Sequence, residues 1–330
     1  MNMRNPFGPR WFRELPFDVL PRHANEHPPY READPEVIEA ALGRSQRKPT
    51  GNWYAFAASH DVRDTRAFGS RVAGVEIVAW RDRAGQLLVG PRSCPHLGAD
   101  LATGVVQDGT LICPWHGLKL DGSPHDFGWC PLPSHDDGAL VWVRLDKVGG
   151  EEPLPEPVIP ARPTGHRLTA VTSAAGICEP ADIIANRLDP WHAAPFHPYS
   201  FAAVDVVSTP TEEDDRYVVA VTFHVGRLGA PVLTEFMCPD ARTIVMRILD
   251  GEGASSTVET HATPIGVGPD GRYRSTVLEA VFAHSDRRGF KLATRVAPLV
   301  TPLMRHAASR LWRDDLTYAE RRYQLRTSQP

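Results

Sequence analysis

The chain has 330 residues, a net charge of −4, and 23% charged against 42% hydrophobic residues. That length suggests two domains with real cores, and the mild acidity gives no reason to expect nucleic acid or an anionic membrane as the main partner. No apolar run approaches the ~20 residues that span a bilayer, and residues 1–20 are charged and proline-interrupted with no signal-peptide core, so the sequence reads as soluble and cytoplasmic. The odd count of five cysteines argues against a disulfide framework.

Residues 1–50 read as an N-terminal extension with one short helix, N-capped by Asp34, opened by Pro35 and stopped at Gly43. From Trp53 the texture becomes short β-like runs, 75–79, 86–89, 110–112 and 139–145, parted by Gly, Pro and Asp turns. Residues 51–148 therefore read as a small all-β domain. Five prolines within 149–165 predict a stiff extended linker. Residues 166–330 mix helix and strand. A helical stretch over 180–197 is broken by Pro195 and Pro198, and strands follow at about 216–225, 234–249, 255–263 and 272–284. Gly268-Pro269-Asp270-Gly271 is the turn signal between the last two. From Phe290 an amphipathic helix bent at Pro298 and Pro302 runs nearly to the C-terminus. The fold class expected is an all-β domain followed by an α+β domain, an antiparallel sheet gripped by a long C-terminal helix.

The first constellation is Cys94-Pro95-His96-Leu97-Gly98 and Cys113-Pro114-Trp115-His116-Gly117. Each half puts one thiol and one imidazole on a tight loop shaped by Pro and Gly. Two thiolates on one iron and two imidazoles on the other suit a Rieske [2Fe–2S] cluster. A structural Cys2His2 zinc site is the alternative, but zinc modules usually pair like ligands at each knuckle. His125, Cys130 and His135, just downstream, read as ordinary domain residues.

The second constellation is Asn186, Asp189, His192 and His197. Histidines five apart do not share a face of a regular helix. With Pro195 between them, His192 sits on the helix and His197 on the turn after it, so both imidazoles can converge on one metal. Asp189, three residues before His192, can share its helix face and accept the outer N–H of that imidazole. A surface helix end with scattered His, Asp and Pro is the alternative.

Residues 51–148 resemble the Rieske domain of Rieske non-haem iron oxygenases in both cluster loops and in Trp53-Tyr54. Rieske proteins of respiratory complexes carry an extra cysteine in each loop, where this chain has Ala99 and Trp115. The spacing Asn-x2-Asp-x2-His-x4-His resembles the same family's mononuclear iron motif. That resemblance implies that His192 and His197 ligate Fe(II), that Asp189 bridges electrons from His116 or His96 of a neighbouring subunit, and that Asn186 supports the site. A two-histidine iron site wants a carboxylate. The resemblance places it on the final helix at Asp315, with Glu320 beyond it and Asp314 the neighbour less favoured, although Asp pairs on such helices are commonly solvated.

What the resemblance implies overall is an oxygenase with one [2Fe–2S] cluster and one mononuclear iron per chain. It would be fed from NAD(P)H by a reductase and/or ferredoxin, and would form a homo-oligomer, a trimeric ring. With O2 it would hydroxylate, desaturate or demethylate an organic molecule. The alternative is a non-catalytic electron carrier. The sequence places the pocket between the sheet and the final helices. Val219, Val221, Phe223 and Val225 share one strand face, and Leu278, Ala280 and Phe282 share another. His224, His261 and His284 are read as non-ligands. No Arg or Lys cluster marks a carboxylate pocket, so an apolar or weakly polar substrate is expected, such as a steroid, carotenoid-like isoprenoid or polycyclic compound.

Overall fold

The computed structural model describes residues 18–19 and 29–328, except for the side chains of 18, 19, 225, 288, 289, 292 and 293. The expected absence of a signal-peptide core, most of the N-terminal extension and the side chain of Val225 lie outside the described residues.

Helix α1 (Pro35–Ser45) starts where expected, with the Asp34 carboxylate accepting the Glu36 N–H at 2.9 Å. It does not stop at Gly43. Gly43 has no positive φ, and the helix runs on because Ser45 is buried and its hydroxyl donates to the Leu42 carbonyl.

An all-β region follows, built from three small antiparallel sheets. Strands β1 (Trp53–Ala58), β2 (Phe68–Val72), β3 (Val75–Arg81), β4 (Leu87–Pro91), β5 (Val105–Gln107), β6 (Thr110–Ile112), β7 (Lys119–Leu120), β8 (Ser134–Asp136) and β9 (Leu140–Arg144) pair as β1-β9-β8, β2-β3-β4 and β5-β6-β7. One core lies among Tyr54, Phe56, Ile77, Val89 and Val141, and a second lies under the cysteine loops among Trp80, Leu101, Leu111 and Trp129. Gly90 is glycine for space, since a Cβ there would stand 2.1 Å from the Trp129 ring. After the short helix α2 (Asp146–Gly149), residues 151–167 hold no helix or strand yet are strapped down. Trp53 Nε1 donates to the Leu154 carbonyl, and the Glu151 carboxylate accepts the Thr50 and Gly51 amides.

The remainder is one antiparallel sheet with helices on one face. Its strands are β10 (Leu168–Gly176), β11 (Phe201–Ser208), β12 (Tyr217–Val225), β13 (Leu228–Asp240), β14 (Thr243–Gly251), β15 (Thr257–Val267) and β16 (Tyr273–Ala283), ordered β10-β16-β15-β14-β13-β12-β11, with Asp18–Val19 added against β13. The expected single strand over 234–249 is two strands. Asp240 folds its carboxylate onto the Arg242 N–H at 2.7 Å, an Asx turn that reverses the chain. The 268–271 turn forms as read, with Gly268 N–H donating to the Arg272 carbonyl. Strands β10 and β11, both edges of the sheet, were not anticipated.

Side chains alternate across this sheet with period two. Leu278, Ala280 and Phe282 of β16 face the all-β region and pack with Trp53, Ala55, Leu140 and Trp142. They belong to the junction with that region, opposite the cavity. Val277 of β16, with Val219, Val221 and Phe236, faces the helices and packs with Ile183, Ile184, Trp312 and Leu316.

The helices are α3 (Pro180–Arg187), α4 (Ala193–Phe196), α5 (Arg288–Arg295) and α6 (Ala297–Thr327). The expected breaks shift by a few residues. The helix begun at Pro180 ends at Arg187 because Asp189 precedes Pro190, and a residue before proline avoids the α region; Asp189 has φ −107° and ψ 83°. Pro195 lies inside the one-turn helix α4. The final helix divides at Val296, ahead of Pro298, which sits in the first turn of α6 where a missing N–H costs nothing; Pro302 lies within α6. Asp182, wholly buried on α3, takes Arg322 at 2.7 Å and Arg326 at 2.9 Å, fastening α3 to the end of α6.

Candidate metal centres

The two cysteine loops are near copies of one hairpin tip. In the first, a bridge pairs Ser93 with Asp100, and the Cys94 amide donates to the Ala99 carbonyl at 2.9 Å. In the second, Ile112 pairs with Lys119 and the Cys113 amide donates to the Leu118 carbonyl at 2.8 Å. Gly98 and Gly117 close the turns with φ of +79° and +70°, a conformation side chains resist. Arg92 and Asp100 clamp the base of the first loop in a two-point contact. Both thiols are buried, both imidazoles are exposed, and the His96 and His116 ring centroids stand 4.9 Å apart. Burial raises the Cys94 thiol above its ordinary value. For Cys113 burial acts the same way, but the Trp115 amide and the neighbouring Cys94 lower it on balance. Two inward thiols and two outward imidazoles at paired loop tips fit a cluster with one sulfur-ligated and one nitrogen-ligated iron.

His125 and Cys130 remain apart from this set. Cys130 is exposed, and the His125 ring stacks on Phe127, which in turn stacks on His96. The His135 ring meets Trp53 edge-on.

In the sheet-and-helix region, His192 ends the 3-10 turn Pro190–His192, His197 follows α4, and Asp315 is on α6. Their ligand atoms lie within 4.8 Å of one another, the one such His/Cys/Asp/Glu group among the described residues. The Asp315 Oδ1 stands 3.1 Å from His192 Nε2 and 2.8 Å from His197 Nε2. His192 Nδ1 faces the main-chain oxygen of Asp189 at 2.5 Å. A carbonyl only accepts, so Nδ1 carries the proton and, in the neutral ring, Nε2 offers its lone pair toward the carboxylate. Lone pairs from two nitrogens and a carboxylate converging on one buried point call for a cation. Burial acts against charge at this point. Even so, contact with His192 and His197 holds the Asp315 carboxyl well below the usual carboxylate range, and contact with Asp315 and Asp189 raises His192. Two imidazoles and one carboxylate are the facial donor set of a non-haem Fe(II) site. The residues present thus fit both a Rieske cluster and a mononuclear iron.

Asn186 is wholly buried on α3 and donates from Nδ2 to Asp315 Oδ1 at 3.3 Å, while its Oδ1 is left without a partner. Asp189 does not meet His192 through its carboxylate as expected. It lies on the turn after α3, and its main-chain oxygen, not its carboxylate, accepts the His192 proton; Oδ2 is 3.9 Å from that nitrogen. Tyr318 donates to Oδ2, Oδ1 has no partner, and burial raises the Asp189 carboxyl. Asp314 does not point at the two Nε2 atoms. It accepts the Tyr199 hydroxyl at 2.6 Å and lies 3.7 Å from His197 Nδ1. Glu320 accepts the Ile177 amide at 2.8 Å, pinning β10 to α6. His224, His261 and His284 turn their nitrogens to other groups: Pro198 and Gly226 carbonyls, Glu259 and Thr243, and the His166 carbonyl with Asp286.

Tyr199, Tyr318 and the outer position of Asp314 were not singled out from the sequence. Tyr318 stands three residues after Asp315 on α6, a spacing that shares a helix face, and this signal could have found it. Outer partners of metal-bound histidines tune affinity by roughly 10–100-fold. Asp314→Ala is accordingly expected to weaken iron retention at the His192 site by about that factor, read by chelator competition, with the Rieske spectrum unchanged.

Over the triad opens a cavity of about 270 Å³, walled by apolar side chains that include Val219, Val221, Phe223, Phe236, Met246 and Leu311. Val219, Val221 and Phe223 are the strand face read from the sequence. Arg187 and Glu279 are the two charged residues of the wall beyond Asp189 and Asp315.

Residues 52–133 match the family model described as Rieske [2Fe-2S] domain, and residues 148–330 match the one described as Domain of unknown function (DUF5914). The aminopyrrolnitrin oxygenase PrnD of Pseudomonas fluorescens is 26% identical over 181 residues, 47% of this chain and 48% of that protein. The oxygenase component of a 3-ketosteroid-9-alpha-monooxygenase of Rhodococcus rhodochrous is 28% identical over 140 residues, 38% of this chain and 36% of that one. The chain thus matches half or less of these relatives' lengths. The crystal structure of dicamba monooxygenase bound to dicamba superposes with a TM-score of 0.62 at 17% identity, covering 85% of this chain and 89% of that one, a likeness of fold. The chain belongs to the DUF5914 family, carries a Rieske [2Fe-2S] domain ahead of that region, and is similar to oxygenase components of Rieske non-haem iron oxygenases.

Proposed function

We propose that the chain is the oxygenase component of a system that oxidises an apolar organic molecule with O2 and electrons from NAD(P)H. The observation that carries this reading is the convergence of His192, His197 and Asp315 beneath an apolar cavity, in a chain that also carries the paired Cys/His loops. When bound, the cluster supplies single electrons and the mononuclear iron supplies dioxygen activation. Cys94, His96, Cys113 and His116 would hold the first, and His192, His197 and Asp315 the second.

The protein's own part is positioning and exclusion of water. The Asp189 carbonyl fixes the His192 tautomer, and Asn186 steadies Asp315. The apolar wall admits a substrate with little hydration. A cavity of about 270 Å³ is at the small end for ligand sites and suits a compact ring system better than a long isoprenoid.

Electron entry is proposed at the exposed imidazoles. Leu97, Trp115 and Phe127 are 63%, 61% and 58% exposed around them, an apolar collar of the kind that docks a partner. We assign that collar to a reductase or ferredoxin and, in a trimer, to a neighbouring copy whose Asp189 receives the electron. No described helix is long and apolar enough to cross a membrane. The cytoplasmic location we propose rests on Cys130, Cys178 and Cys238, the cysteines outside the cluster loops, none of which is in a disulfide.

The test is NAD(P)H-driven O2 uptake with a reconstituted reductase and a panel of ring compounds, with product identified by mass. Asp189→Ala is expected to keep about three irons per chain while turnover falls by roughly two orders of magnitude. About two irons per chain and no oxidised product would assign the protein to electron carriage instead.

A further inference from the structure

Arg187 is the last residue of α3, held by Ile183, Ile184, Ala185 and Asn186, each wholly buried. Its side chain lines the cavity beside Phe236 and Trp312, with the guanidinium carbon 5.9 Å from each ring centroid. Its Nε is buried without an acceptor, and its side chain makes no hydrogen bond or ion pair among the described residues. Contrast Arg162, which the same protein buries with two carboxylates around it.

Arg187 is half-buried, and a guanidinium N–H buried without an acceptor costs free energy that is recovered when an acceptor arrives. Glu279 does not fill that role. It is on the same wall and fully buried, but its Oε2 is taken by Trp312 Nε1 at 2.6 Å and by Thr260, and it stands beyond ion-pair reach of Arg187. Burial raises the Glu279 carboxyl, although the charge of Arg187 across the wall acts the other way. Trp312 lies three residues before Asp315 on α6, so this polar spot is about 5 Å along the helix from the metal triad.

We infer that Arg187 determines specificity in this cavity, and that the molecule accepted is apolar except for one oxygen acceptor, a carbonyl or a carboxylate, that binds its guanidinium. The inference rests on the cavity being the substrate site proposed above, and it narrows the expectation of an apolar or weakly polar substrate. Three probes of similar shape separate the possibilities: 2-naphthoate, methyl 2-naphthyl ketone and 2-ethylnaphthalene. Binding to the holoprotein is followed by calorimetry, without turnover.

A charge-assisted hydrogen bond predicts that the ketone, the carboxylate or both bind roughly 10- to 100-fold tighter than the hydrocarbon. The tighter of the two identifies the acceptor. Arg187→Met is expected to bring all three within about threefold of one another and to leave the affinity for 2-ethylnaphthalene intact or improved. Arg187→Gln provides the same comparison should Arg187→Met lose the Rieske colour. Equal binding of the three by the wild type, no binding of any, or a preference that survives Arg187→Met overturns the assignment. A preference that depends on Arg187 in a protein that oxidises none of a wide panel leaves the assignment standing and removes the oxygenase reading alone.

Discussion

Asp315→Ala is expected to empty the mononuclear site and lower turnover by ~10³-fold or more, with the Rieske absorption unchanged. Metal catalysis contributes several kcal/mol of barrier lowering, and each ~1.4 kcal/mol is tenfold in rate. Asp315 Oδ1 is the point on which both Nε2 atoms converge, at 3.1 and 2.8 Å, so its loss leaves two neutral donors and no carboxylate. The Rieske loops share no side chain with this site. Total iron should therefore drop from about three to about two per chain. Asp314→Ala provides the contrast, since Asp314 touches Tyr199 and the outer nitrogen of His197. Equal loss in the two variants would mean that the triad has been drawn around the wrong aspartate.

The largest effect on stability is expected at Arg162. This residue of the strap meets Asp137 of the all-β region at 2.9 Å and Glu259 of β15 at 2.6 Å, and its guanidinium lies 4.3 Å from the centre of the Phe282 ring. Glu259 and Asp137 are both buried, and each has a further partner, His261 for the first and Trp142 Nε1 for the second. Arg162→Ala leaves two buried carboxylates facing each other without their cation, which costs about 3–5 kcal/mol. In a chain of this size that lowers Tm by roughly 5 °C, measurable by calorimetry.

The acid side of the stability curve should show the same network. Burial alone would raise the Asp137 carboxyl, but the Arg162 contact more than offsets it and holds the carboxyl below its ordinary value. A depressed folded-state pKa contributes stability above the unfolded value, and that contribution is lost as pH falls through the folded one. Wild type should lose this increment on acidification, and Arg162→Ala should lose less of it.

Much of this was legible because the ligands are local. Cys94 with His96, and Cys113 with His116, each fit within one hairpin tip, so spacing and the adjoining glycines carried the pattern. Local reading also reached His192 and His197, although it misplaced the break between them. Pro195 looked decisive, whereas Asp189 before Pro190 ends the helix and turns the Asp189 carbonyl toward His192.

What the sequence did not carry depends on contacts between distant segments. The edge strands β10 and β11 are defined by partners at 275–283 and 218–223. Tyr199 acquires its role from Asp314, more than a hundred residues away. Arg187 sits within the iron motif, and its lack of an acceptor shows only once α3, β13 and α6 surround it. Leu278, Ala280 and Phe282 were correctly read as one face, but which side that face looks to is set by the packing of Trp53 and Trp142 against it.

The central claim is that two unlike iron sites share one chain, one held by Cys94, His96, Cys113 and His116, the other by His192, His197 and Asp315. Electron paramagnetic resonance of the anaerobically purified, dithionite-reduced protein, with iron and acid-labile sulfide counted on the same sample, tests it most directly. The account predicts a Rieske-type signal with about three irons and two sulfides per chain. A colourless, signal-free protein holding stoichiometric zinc would contradict it.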